Sequence, residues 1–220
     1  MDIFTISTYT QVHAPLIAIL IALFTRTVTA KKTRHVLVFL ILSYLINVSV
    51  VHFQVYFLAG RYLGEIFDIT MILLLTHLFY YNSQKNKRLL FIGMFLLLIY
   101  LVIRWTFQPN YSVPNISSFA GGLCIITYCL SFLYYLIQSE KELHFTDPIS
   151  FGFTLIILLY ETGGFFTSLL IQYITSNGGE NASLYTIRNV ISIVSYVAFA
   201  WMIWKTSTSD RNQRIQLDSN

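Results

Sequence analysis

Apolar residues fill seven stretches of this chain, and short polar segments separate them. The stretches run roughly Ile6–Thr25, Val36–Leu58, Tyr62–Tyr81, Leu89–Phe107, Ser117–Ile137, Ile149–Ile174 and Leu184–Trp204. A helix needs ~20 mostly apolar residues to cross the ~30 Å hydrocarbon core of a bilayer, so the pattern predicts an all-α, seven-transmembrane-helix bundle. Gln11, His13 and Pro15 dilute the first stretch, but proline is tolerated in membrane helices whose neighbours re-satisfy the freed carbonyl. A cleaved signal peptide is the rival reading. It lacks the positive leading region such peptides carry, because Asp2 is the only charge ahead of the apolar run. A six-span bundle without this segment is the alternative count. The longest connection on its side, Gln108 to Ile116, holds Pro109 and Pro114 and reads as a turn-rich loop. No repeat of ~20–50 residues is visible, so residues 1–205 read as one transmembrane domain and 206–220 as a short disordered tail.

Charge orients the bundle. Arg26, Lys31, Lys32, Arg34, Lys85, Lys87, Arg88, Lys141, Lys205, Arg211 and Arg214 lie on one side; only Arg61, Arg104 and Arg188 lie on the other. Lysine and arginine are retained in the cytoplasm, which puts the N-terminus out and the C-terminus in. Composition agrees with a membrane protein: 55% of residues are apolar and 11% charged, against ~25% charged in soluble domains, and mean hydropathy is +0.63. Such a chain cannot clothe a water-facing surface, and with two Cys, four Pro and ten Gly it is no disulfide scaffold or collagen-like fibre. The net charge of +4 follows from topology. The basic loops lack interleaved aromatics, so the lipid bilayer is the expected partner and nucleic acid is not.

The usual catalytic patterns are missing. Cys124 and Cys129 fall ~140° apart on one predicted helix and cannot bridge each other. No two of His13, His35, His52, His77 and His144 stand at i,i+3 or i,i+4, so zinc-hydrolase spacing is absent and no metal or cofactor is expected. The last span has no interior lysine for a retinal Schiff base. Three N-x-S triplets in the outer loops, at Asn110, Asn115 and Asn181, are glycosylation acceptors in a eukaryote only.

The polar residues inside the spans carry more information, since ionisable groups at membrane depth are costly and mark function or buried pairing. His52 and Gln54 on the second span, Glu65 and Asp68 on the third, Arg104 on the fourth, and Arg188 with Asn189 on the seventh all fall within ~10 Å of the outer interface. Glu161 is deeper, near the middle of span six, and Asn47 near the middle of span two. Ser43, Asn47 and Gln54 share a helical face, as do Thr154, Glu161, Gly164, Ser168 and Gln172, and Arg188, Ser192 and Ser195. Span five presents Ser117, Gly121, Cys124, Tyr128, Ser131 and Tyr135 along one side. These faces must turn inward, because lipid offers no hydrogen-bond partners. One outcome is interhelical glue and a structural salt-bridge network, with Asn47 and His77 among the interface residues. The other is a polar pocket open to the outside, floored by Glu161, whose protonation changes when a ligand or cation arrives.

The acidic start of span three, GEIFDITMILLLTHLFYY, and the closing RNVISIVSYVAFAWMIWK resemble a group of small, uncharacterised bacterial seven-helix membrane proteins. The span layout is also similar to the seven-helix sensor modules fused to bacterial histidine kinases. The resemblance implies a sensory or regulatory role in a bacterial inner membrane. In fused sensors the last helix feeds a signalling domain, whereas 16 residues follow Trp204 here, too few for a domain; a separate membrane or cytoplasmic signalling partner is therefore expected. A small proton, cation or solute transporter using Glu161, Asp68 and Asn47 is the alternative, although no inverted repeat or broken helix pair supports it. An intramembrane enzyme ranks last.

Overall fold

The computed structural model describes residues 3–25, 31–52, 57–82, 87–107, 116–138, 148–178 and 181–218. They form seven helices: α1 (Ile3–Phe24), α2 (Lys31–His52), α3 (Phe57–Asn82), α4 (Lys87–Phe107), α5 (Ile116–Gln138), α6 (Pro148–Ser176) and α7 (Ala182–Asp218). No strand occurs among the described residues. The helix ends follow local chemistry. Pro148 opens α6, its fixed φ and missing N–H suiting a first helical position. Gly178, at φ 74°, closes the turn after α6. The Asn181 carbonyl then accepts from the N–H groups of Leu184 (3.0 Å) and Tyr185 (3.1 Å) to start α7.

Four helical stretches, Ile3–Phe24, Phe119–Gln138, Phe151–Ser176 and Ala182–Ser207, are long and apolar enough to cross a membrane. Shorter apolar stretches, Val36–Ser49 and Ile66–Tyr80, lie within α2 and α3.

Two boundaries differ from the sequence expectation. As described, α2 reaches His52 and Leu58 belongs to α3, so the expected second stretch takes in parts of two helices, with residues 53–56 outside the described residues. No Gly or Pro falls between Val51 and Ala59 to punctuate the apolar run. At the other end α7 does not give way to an irregular tail at residue 206 but stays helical to Asp218. That segment lacks Pro and Gly and contains Arg, Gln and Leu, all good helix formers.

Short connections force sequential neighbours to run antiparallel. In space α1, α2, α3, α5, α6 and α7 form a ring, closed where α7 packs along α1, while α4 packs outside against α3 and α5. Accordingly α4 shows Phe91, Phe95 and Leu98 on the outer surface. Inside the ring, the N-terminal halves of α1, α3, α5 and α7 share one end with the C-terminal halves of α2 and α6. The opposite end is filled. Phe39 of α2, fully buried, touches Phe67 of α3, Phe153 of α6 and Phe199 of α7 with ring centroids 5.2–6.1 Å apart. Phe79 of α3 stacks on Phe132 of α5 at 4.0 Å.

Candidate functional site

Above the Phe39 cluster the ring does not close on itself. A cavity of about 320 Å³ opens there, and all six ring helices contribute to its wall. Gln11 reaches it from α1, Ser43 and Asn47 from α2, and Phe67 and Asp68 from α3. Phe119 and Gly122 line it from α5, Tyr160, Glu161, Gly164, Phe165 and Ser168 from α6, and Arg188 and Ser192 from α7. Helical phase explains the set. Ser43 and Asn47 are one turn apart, as are Glu161, Gly164 and Ser168, and Arg188 and Ser192, so each helix offers one stripe.

Of the expected residues, the fold thus brings Asn47, Asp68, Glu161 and Arg188 to one lumen. Asn189 is not among them. It sits ~100° around α7 from Arg188, is buried, and donates to the Ser7 (3.0 Å) and Thr8 (3.2 Å) hydroxyls of α1. Turned away from the lumen, Asn189 instead stitches the seam between α1 and α7 that closes the ring. His52, Glu65 and Arg104 lie on α2, α3 and α4, but their side chains fall outside the described residues, as does Gln54 altogether. His77, expected at a helix interface, is exposed. Cys124 and Cys129 are free and buried, with the Cys124 thiol 3.6 Å from the Leu96 carbonyl.

Two adjacent glycines fit the carboxylates between helices. A Cβ on Gly121 would collide with the Asp68 carboxylate, falling 2.6 Å from its Cγ. A Cβ on Gly122 would stand 3.7 Å from Glu161 Oε2 and 3.8 Å from Phe165. The pair on α5 therefore makes room for α3 on one side and α6 on the other. The Tyr100 hydroxyl of α4 lies 3.4 Å from Asp68 Oδ2. Asn47 Nδ2 is 3.5 Å from the Tyr196 hydroxyl, whose ring lies 5.9 Å from that of Tyr160. Gly122, Tyr160, Phe165 and Tyr196 are site residues that composition and polarity alone do not reveal. The adjacent glycines beside a polar stripe were the available signal.

No family model, curated protein or solved structure matches the chain.

Arg188 is exposed, close to the start of α7, whereas Glu161 lies about 20 Å below the end of α6. Among the described residues, no ion pair within 4.0 Å joins them. The Ser43 hydroxyl lines the cavity, is 3% exposed, and stands within electrostatic reach of the Tyr196 hydroxyl without making a hydrogen bond of good geometry. No group of three His, Cys, Asp or Glu side chains suited to a metal ion occurs among the described residues. The chemistry on offer is recognition: acceptors at two depths, a cation nearer the opening, hydroxyl and amide groups between, and aromatic walls.

Proposed function

We propose that this chain is a receptor-like regulatory protein of a bacterial inner membrane. It has seven spans with the N-terminus outside, and its cavity admits a small ligand or protons from the non-cytosolic face. The signal passes to a separate membrane or cytoplasmic partner. The observation that carries this reading is the packing at one end of a polar, charged cavity: its lining residues Phe67 and Tyr160 lie against the fully buried Phe39, with Phe153 and Phe199 packed behind it. A binding pocket needs a floor, while a conduction path needs an exit.

Two features support the rest. Arg188 and Ser192 at the cavity share one uninterrupted helix with the chain as far as Asp218, so a tilt or rotation of α7 at the cavity reaches the far end. Of the eleven basic residues named above, the described Arg34, Lys87, Arg88 and Lys205 lie toward the floor end, which supports an inward-facing floor by the retention of basic residues in the cytoplasm. Exposed Tyr185 and Trp204 stand about 29 Å apart along α7, close to the ~30 Å core thickness. The Lys205 ammonium lies 5.2 Å from the Trp201 ring, a pairing suited to the membrane boundary. Against transport, α6 passes Gly163 and Gly164 without a break.

The test uses vesicles of known orientation. Impermeant thiol reagents should label Ser112→Cys from outside and Ser83→Cys only after permeabilisation. Spin labels at Lys87→Cys and Lys205→Cys, both exposed positions, should change separation when the cavity side is acidified or supplied with ligand, without net proton or solute flux. Flux abolished by Glu161→Gln, with label distances constant, would replace sensing by transport.

A further inference from the structure

Opposite charges that share a lumen attract, and a fold that needed a structural ion pair would bring them together. Here Glu161 and Arg188 line one lumen from adjacent helices, at different depths, and do not pair. A simple cation at Glu161 would leave the guanidinium without a partner, and a simple anion at Arg188 would leave the carboxylate so. A molecule carrying both charges answers both.

The Ser43 hydroxyl adds an independent observation. It is buried almost completely, faces the cavity and makes no hydrogen bond of good geometry, with the Tyr196 hydroxyl only within electrostatic reach. Native interiors rarely leave such a group unmade, because its lost hydration is not returned. The walls supply the remaining constraint. Phe67, Phe119 and Phe165 give the lumen an apolar side, against which an aliphatic or aromatic body fits and whose ring faces favour an ammonium nearby. At about 320 Å³ the cavity falls at the small end of the ~300–1,000 Å³ range of small-molecule sites, enough for a single amino acid and too small for a folded peptide segment.

We infer that the cavity binds a small zwitterion of the amino-acid type, its ammonium held by Glu161, its carboxylate by Arg188 and one further hydrogen bond made to Ser43. This deepens the receptor reading and rests on it for the direction of access only. With the ligand in place the two helices are bridged through it, so α6 and α7 are drawn toward each other at the cavity.

The experiment takes the full chain in nanodiscs. The twenty standard L-amino acids are screened by thermal shift, and the tightest binder is then compared by calorimetry with its decarboxylated amine and its deaminated acid. Each analogue lacks one charge-assisted contact and should bind at least tenfold more weakly. In Arg188→Gln the amine should lose its disadvantage, and in Glu161→Gln the acid should. The matched ligands make the comparison on the unmodified protein, so it stands even if a variant fails to fold. An amine that binds as tightly as the amino acid, or no binding by any of the twenty, overturns the inference. Acid-driven movement of α7 without amino-acid binding would leave the sensing proposal standing and remove this one. Amino-acid binding followed by accumulation inside vesicles would do the reverse.

Discussion

Replacing Gly121 by alanine tests whether α5 and α3 approach as closely as they do because Gly121 lacks a side chain. The added methyl carbon would stand 2.6 Å from Asp68 Cγ and 3.1 Å from Asp68 Cβ, and closer still to Oδ2. Ordinary carbon contacts begin near ~3.5 Å, so about 1 Å must be found. Rotating the carboxylate frees Oδ2 and Cγ, but Cβ moves only with the helix backbone. Overpacking of this kind costs ~1–3 kcal/mol. Gly122→Ala is the matched control, because its Cβ meets nothing nearer than 3.7 Å. The two variants share the same gain in helix propensity, ~1 kcal/mol, so their difference isolates the clash. Unfolding in mixed micelles, followed by circular dichroism, should place Gly121→Ala ~1–3 kcal/mol below Gly122→Ala. In an Asp68→Ala background, which removes the two nearest atoms, most of that gap should vanish, giving a coupling of similar size. Equal stabilities for the two alanine variants, or a gap that persists without the Asp68 carboxylate, would refute the packing described for α3 and α5.

Three further outcomes are expected. Asn189→Ala should lower stability by ~1 kcal/mol, two interhelical hydrogen bonds at ~0.6 kcal/mol each, while leaving calorimetric ligand affinity within twofold, because Asn189 serves the α1–α7 seam. Ser43→Ala should leave unfolding midpoints unchanged or slightly raised, since the hydroxyl it removes makes no hydrogen bond of good geometry, yet weaken amino-acid binding several-fold by calorimetry, the loss of one hydrogen bond at ~0.5–1.5 kcal/mol. Glu161→Gln keeps the shape of the side chain and should preserve expression and helix content, while the response of spin-labelled α7 to acidification of the cavity side disappears.

Helix existence was legible because lipid imposes a long apolar run and loops interrupt it with charge, as at Lys85 to Arg88. The lumen was partly legible for the same reason: Asn47, Asp68, Glu161 and Arg188 are too polar for lipid and share faces with small residues. Polarity does not say which neighbour a face meets. Asn189 is as polar as Arg188, but one residue of helical rotation sends it to α1. Gly122 and Phe165 escaped notice because their part in the site is shape, which depends on what stands opposite. The second stretch was misjudged where apolar residues run on past His52 and into α3, and the persistence of α7 was missed because polar composition resembles a tail while carrying no helix breaker.

Ring closure between α1 and α7 has a consequence for biogenesis. On the proposed seven-span arrangement, the ribosome makes α7 after the other six helices, so an inserted intermediate holds Asp68 and Glu161 in a bundle with a gap where α7 belongs. Until that helix arrives the gap faces lipid, and Arg188, Ser192 and the Asn189 seam are all missing from it. Nascent chains stalled before Ala182 should therefore stay near the translocon or a membrane chaperone, and release should coincide with insertion of the seventh helix.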